Sequence, residues 1–134
     1  MPLKKGFKQM LAEANAEVET LSPADAIALH GRDDVLFIDL RDPRELDREG
    51  RMPHAFACTR GMLEFWIDPE SPYHKPAFAE DKKFVFFCAG GLRSVLATKT
   101  AQDMGLKPVA HIIGGYKAWK DAGGPTETGP AKKG

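Results

Sequence analysis

Cys88 is followed by Ala89-Gly90-Gly91-Leu92, then Arg93 and Ser94, and it comes directly after the apolar run Phe84-Val85-Phe86-Phe87. The stretch from Ser94 to Met104 reads as helical, so the cysteine falls in a glycine-rich loop between a strand and a helix N-terminus. Backbone N–H groups converge at such a junction and make an anion cradle. The thiolate is the nucleophilic form of a cysteine. Here the helix dipole, the loop N–H groups and Arg93 would all favour its charge. The chemistry this predicts is attack by the Cys88 sulfur, with any anion it acquires held by the N–H groups of Ala89, Gly90, Gly91, Leu92, Arg93 and Ser94. For Ser94 the expected role is to cap the helix. The bland alternative for Cys88, an inert core cysteine, sits poorly with two glycines and an arginine so close behind it.

A second candidate group, Asp39-Leu40-Arg41, follows another apolar run, Val35 to Ile38. Asp39 is expected to be a structural ion-pair or turn residue near the site. Arg41 is counted with the substrate-binding candidates, as a charge that meets the substrate, with a structural pairing as its alternative. Glu45 reads as a solvated helix charge able to pair with either arginine.

Two strands are thus needed to deliver these groups, and the rest of the chain supplies more. Gly6 to Val18 carries Phe7, Met10, Leu11 and Ala14 at helical spacing. Val18 to Leu21 reads as a short strand. Ser22-Pro23-Ala24-Asp25 starts a helix that stops near Gly31. Pro43 to Glu49 and Gly61 to Ile67 read as short helices. Asp68 to Asp81, with Pro69, Pro72 and Pro76, reads as an irregular excursion. Val109 to Ile113 is a further strand, and Gly114-Gly115 turns into a last helix with Tyr116, Ala118 and Trp119. Strands alternating with helices predict an α/β fold with a mainly parallel central sheet. In such folds the working loops lie at the C-terminal ends of the strands, where both candidate groups fall.

Composition narrows the function classes. A chain of 134 residues fits one domain. The formal net charge of zero gives no reason to expect a nucleic-acid partner. No apolar run is long enough to cross a bilayer, and Met10-Leu11-Ala12 is too short for a signal-peptide core, so the expected location is cytoplasmic. Cys58 and Cys88 make no disulfide framework, and the scattered histidines have no metal-ligand spacing. Neither a metal nor an organic cofactor is expected.

Several segments together resemble the rhodanese-like sulfurtransferases. Asp39-Leu40-Arg41 is similar to that family's Asp-x-Arg, and Gly50-Arg51-Met52-Pro53-His54-Ala55 to its Gly-His-Ile-Pro-Gly-Ala. Cys88 to Arg93 matches its Cys-x-x-Gly-x-Arg loop, and Gly114 to Trp119 its Gly-Gly-x-x-x-Trp. Arg51 and His54 depart from the pattern in a segment that is largely structural. The resemblance implies a three-layer fold over residues 17–124; helical spacing before it gives an N-terminal helical extension over 1–16, and the Gly- and Pro-rich composition after it predicts a disordered tail over 125–134. The resemblance also implies a two-step transfer. Cys88 takes sulfur from a small anionic donor such as thiosulfate, becomes a persulfide, and passes the sulfur to cyanide, a thiol or a protein acceptor. A persulfide carrier or binding module is one alternative. A cysteine phosphatase or arsenate reductase is another, although their loop, Cys-x5-Arg, is one residue longer. Cys58 is expected to be a packed core residue, with a resolving thiol as its rival. Phe65, Trp66, Tyr73 and His74 are equally suited to an acceptor-binding rim and to edge packing.

Overall fold

The computed structural model describes residues 2–128. Its elements run α1 (Phe7–Glu17), β1 (Glu19–Leu21), α2 (Pro23–Leu29), β2 (Val35–Asp39), α3 (Pro43–Glu49), β3 (Phe56–Ala57), α4 (Leu63–Ile67), β4 (Lys83–Phe87), α5 (Leu92–Asp103), β5 (Val109–Ile112) and α6 (Gly115–Asp121). The five strands form one parallel sheet in the order β1-β5-β4-β2-β3. The expected α/β fold is therefore the observed one.

The apolar runs are strands because both faces of the sheet are covered, as parallel sheets require. Side chains alternate along β4. Phe84 and Phe86 join Ile38, Leu63, Ile67, Ala97 and Ala101 on the face covered by α4 and α5. Val85 and Phe87 join Phe37, Ala26, Tyr116 and Trp119 on the face covered by α2 and α6. Trp119 is fully buried against Phe37 and His30, so truncating it would cost about 3–5 kcal/mol. The extension α1 packs along α5, where Gln102 Nε2 donates to the Glu17 carbonyl at 3.1 Å.

Helix starts follow their sequence signals. Ser22 Oγ accepts from the Asp25 N–H at 3.1 Å, with Pro23 at the first helical position. Asp42-Pro43-Arg44-Glu45 forms a full capping box at the head of α3. The excursion after α4 is held by Phe78, buried against Phe56 and Phe84. Trp66 is partly covered by Phe56 and by the Lys75 ammonium, while Phe65 and Tyr73 stay exposed. The structure gives Trp66 a packing role, bonds His74 to the Trp66 carbonyl and shows no contact of Phe65 or Tyr73 with the Cys88 loop among the described residues.

Two boundaries differ from the sequence reading. The expected disorder from residue 125 does not hold for its first residues. Trp119 Nε1 donates to the Pro125 carbonyl at 2.8 Å, and Glu127 forms an antiparallel bridge with Arg51. Residues 129–134 lie outside the described part of the chain. The helix after the cysteine also starts two residues earlier than predicted, at Leu92 instead of Ser94. Gly91, at φ +103°, is its left-handed N-cap, and a left-handed residue stops the strand-to-helix turn more abruptly than the polar cap the sequence led us to expect. Leu92, Arg93 and Ser94 thus form the first turn of α5.

Candidate active site

Cys88 directly follows β4, the central strand beside β2 and β5, and is 1% exposed. The Gly91 N–H donates to its Sγ at 3.2 Å. What makes the loop a cradle is where its carbonyls go. The Cys88 carbonyl accepts from the Tyr116 N–H at 2.7 Å, and that of Ala89 accepts from the Lys117 N–H at 3.2 Å. The Gly91 carbonyl accepts from Ser94 Oγ at 3.2 Å. In a planar trans peptide the C=O and the following N–H point in opposite directions. Tying these three carbonyls outward therefore turns the N–H groups of Ala89, Gly90 and Leu92 to the opposite side.

This arrangement requires the turn into α6 to approach very closely. A Cβ on Gly115 would lie 2.4 Å from the Cys88 carbonyl and 2.7 Å from that of Ala89. The Gly114-Gly115 pair, read from sequence as a simple turn, is thus the clamp on the back of the loop. Its signal was present in the sequence as two glycines opening a helix after a strand, but which backbone they admit is a fact of topology.

The remaining candidates separate into two groups. Arg41 and Asp39 are both buried and form a twin-bonded pair: Arg41 Nη2 donates to Asp39 Oδ2 at 2.8 Å and Nε to Oδ1 at 3.0 Å. Nη2 also donates to the Gly50 carbonyl, and the Tyr116 ring covers the guanidinium at 4.1 Å. These contacts favour the structural alternative weighed for Arg41: they tie β2 to the Gly50 segment beneath the Tyr116 ring of α6.

Arg93 lies on the first turn of α5, and both of its terminal nitrogens donate to Glu45, each at 2.8 Å. The guanidinium hydrogen bonds hold the Glu45 carboxyl down at about 2, and the carboxylate in turn raises the Arg93 pKa. Glu45 also closes the α3 capping box by accepting from the Asp42 N–H at 3.1 Å. The sequence reading passed over this role, although Asp-Pro-x-Glu before a helix is a legible capping box. The Leu92 side chain is exposed and Gly90 lies at the surface. A cleft of about 520 Å³ beside Ala89 and Gly90 is lined further by Arg41, Tyr116, Lys117 and Lys120.

Cys58 is fully buried in the core, and burial pushes its thiol up to about 12. His111 is also buried, bonded at both ring nitrogens, to Thr20 and Ser94, and burial lowers its pKa. Among the described residues no group of three His, Cys, Asp or Glu side chains is placed to hold a metal ion, and no helix is long and apolar enough to cross a membrane.

Residues 22–122 match the model of the rhodanese-like domain. The chain belongs to the rhodanese-like family. It is 30% identical to a putative sulfurtransferase, YtwF, of Bacillus subtilis, over 66% of this chain and 76% of that protein. Among solved structures, the polysulfide-sulfur transferase homodimer of Wolinella succinogenes shares 32% identity at TM-score 0.69, covering 91% of this chain and 87% of that one. A Rhodopseudomonas palustris protein of unknown function, described as a possible tyrosine phosphatase, shares 68% identity at TM-score 0.92, covering 95% and 98%. The chain spans between 43% and 58% of the length of several other curated relatives that it matches.

Proposed function

We propose that this rhodanese-like protein is a sulfurtransferase in which Cys88 carries sulfane sulfur as a persulfide. The observation that carries the proposal is the loop itself: the Gly91 N–H on Cys88 Sγ, within a backbone whose carbonyls are tied outward. Such a ring of N–H groups fits a single sulfur anion, which needs donors and no proton relay.

In the first step the Cys88 thiolate attacks the outer sulfur of thiosulfate. A sulfur–sulfur bond forms to Cys88, the bond to the sulfonate sulfur breaks, and sulfite leaves with the electron pair. The persulfide anion takes the place of the thiolate at the loop amides. In the second step cyanide or a thiolate attacks the terminal sulfur, and Cys88 leaves as thiolate. Thiosulfate is the assigned donor because the site offers N–H groups and the half-exposed Arg93 to a small anion. The expected setting is cytoplasmic, with a protein acceptor in place of cyanide as the alternative use of the same persulfide.

The phosphatase description of the R. palustris relative names the other chemistry of a Cys-to-Arg loop. One observation favours sulfur here. Four residues separate Cys88 from Arg93, which narrows the loop.

Intact-protein mass spectrometry tests the assignment. Incubation with thiosulfate is expected to add the mass of one sulfur, which cyanide removes and Cys88→Ser prevents. Sulfur added but released only to a protein thiol supports the carrier form. No added sulfur, with hydrolysis of an aryl phosphate, would replace the reading by the phosphatase one.

A further inference from the structure

Behind the Cys88 loop runs a chain of polar side chains, buried at Ser94 and His111 and exposed at Thr20, that the transfer chemistry does not itself use. Ser94 is fully buried, and its Oγ touches the Gly91 carbonyl and His111 Nδ1, each at 3.2 Å. On the far side, His111 Nε2 lies 3.1 Å from Thr20 Oγ1. Thr98 Oγ1 donates to the Ser94 carbonyl at 2.7 Å and steadies the turn that carries the hydroxyl.

Proton counting gives these contacts a direction. A carbonyl only accepts, so the one Ser94 hydroxyl proton belongs to Gly91. Towards His111 the Ser94 oxygen must then accept, which places the imidazole proton on Nδ1. Burial keeps the ring neutral, so Nε2 is a bare acceptor and takes the Thr20 hydroxyl proton. The chain therefore runs one way, from Thr20 on β1 through His111 on β5 and Ser94 on α5 to the Gly91 carbonyl. The Gly91–Leu92 peptide that it ends on is the one whose N–H faces opposite the tie, and the preceding N–H is already on Cys88 Sγ. The Cys88 and Ala89 carbonyls are held by the backbone of α6, as described above; the Gly91 carbonyl, at the N-cap of α5, is the one that a side chain reaches.

We propose that Thr20, His111 and Ser94 form a directional hydrogen-bond relay that sets the Gly91–Leu92 peptide for sulfur loading, which makes His111 and Ser94 positioning residues. The relay holds no net charge and contacts no substrate. Its effect is to keep one amide of the cradle aimed before the sulfur arrives, the preorganisation on which electrostatic stabilisation depends. The proposal rests on the reading of Cys88 as the sulfur carrier, and its test separates the two.

Nitrogen-15 NMR of the wild-type imidazoles comes first, because it needs no activity. His111 is expected as the neutral Nδ1–H tautomer, and in Ser94→Ala the Nε2–H form should gain population. A wild-type Nε2–H tautomer would overturn the relay whether or not the protein transfers sulfur. Single-turnover loading from thiosulfate comes second. Ser94→Ala and His111→Leu are each expected to slow loading about tenfold, the scale of one lost hydrogen bond. His111→Asn, whose side-chain amide can replace the Nδ1–H donor, should stay within about threefold of wild type on the same scale. The Ser94→Ala/His111→Leu double variant should be no slower than Ser94→Ala, because both act through one carbonyl. Independent, multiplying losses, or equal losses in His111→Asn and His111→Leu, would reject the relay and leave His111 a packing residue. Thermal melting identifies any variant that is unfolded at the assay temperature. Ser94→Ala, which removes a single oxygen, carries the test if His111→Leu does not fold. A wild type that takes up no sulfur would defeat the functional reading, with the tautomer still deciding the relay.

Discussion

Arg41 and Arg93 each grip a carboxylate through two nitrogens, with closest contacts of 2.8 Å, and both stand within a few residues of a strand end. Their surroundings differ. The side chains of Arg41 and Asp39 are 1% and 2% exposed, whereas those of Arg93 and Glu45 are 41% and 15% exposed. A charge removed from water is tolerated only while its partner and its hydrogen bonds are in place. A half-exposed pair is screened by water and adds little to stability, but its charge stays within reach of a solute. The same chemical pairing thus makes a fastener in one place and an adjustable charge at a site mouth in the other. Sequence alone counts both arginines among the substrate-binding candidates, with a structural pairing open for Arg41; burial separates them.

The largest effect that would break this comparison is at the buried pair. Arg41→Met is expected to lower unfolding stability by about 3–5 kcal/mol, because it strands the Asp39 carboxylate in the core. Urea denaturation measures it. A change below about 1 kcal/mol, the scale of an exposed pair, would return Arg41 to the substrate-facing role. At the exposed pair the expectations invert. Arg93→Ala should change stability by no more than about 1 kcal/mol. It should instead raise the KM for thiosulfate by about tenfold, the scale of one charge-assisted contact. Equal losses in stability for Arg41→Met and Arg93→Ala would erase the distinction.

The two pairs also show what the sequence could and could not reveal. The α/β fold, the buried strands and the cysteine loop were legible because each is written locally: apolar runs of strand length, a Ser-Pro helix start, glycines beside a cysteine. The partner of Arg93 was legible only in part: Glu45 was open to either arginine, because it lies 48 positions from Arg93 and comes into reach only when α3 and α5 start at neighbouring strand ends. The clamp by Gly115 and the bonds of His111 were hidden for the same reason. One departure from the family pattern was visible and undervalued. The Ala55 N–H on the Met52 carbonyl closes a turn with Pro53 at its second place and His54 at its third, where φ is +66°. That place suits glycine, and a side chain there is strained. The segment begins at Gly50, whose carbonyl Arg41 holds. His54→Gly is therefore expected to add about 0.5–1 kcal/mol, the relieved strain less the entropy that glycine returns to the unfolded chain. If the buried pair is what holds this segment in its strained turn, the gain should be smaller in Arg41→Met than in the parent, measured by the same urea midpoints. A loss of stability in His54→Gly would mean that the imidazole contributes more packing than its backbone costs.

The smallest effect separates the pairs by pH. Glu45 sits at about 2 in the folded protein against an ordinary value of 4.5, so between those values the unfolded chain binds the extra proton. The stability that Arg93 confers through Glu45 is thus complete above about pH 4.5 and disappears as the pH falls towards 2. His111 has the same sign at a higher pH. Its folded pKa lies below the ordinary 6.5, so stability begins to fall once the solution is acid enough to protonate the unfolded imidazole. Acid should therefore weaken the fold in two stages, the histidine stage first. Glu45→Gln should flatten only the lower stage, by a few tenths of a kcal/mol, because Arg93 keeps half its surroundings in water. The same substitution leaves Arg93 unneutralised beside the cysteine loop, so the KM for thiosulfate should fall by about twofold at low salt and converge with the parent as salt screens the charge. A Glu45→Gln protein that loses several kcal/mol at neutral pH, with no change in KM, would show that this pair too is a fastener.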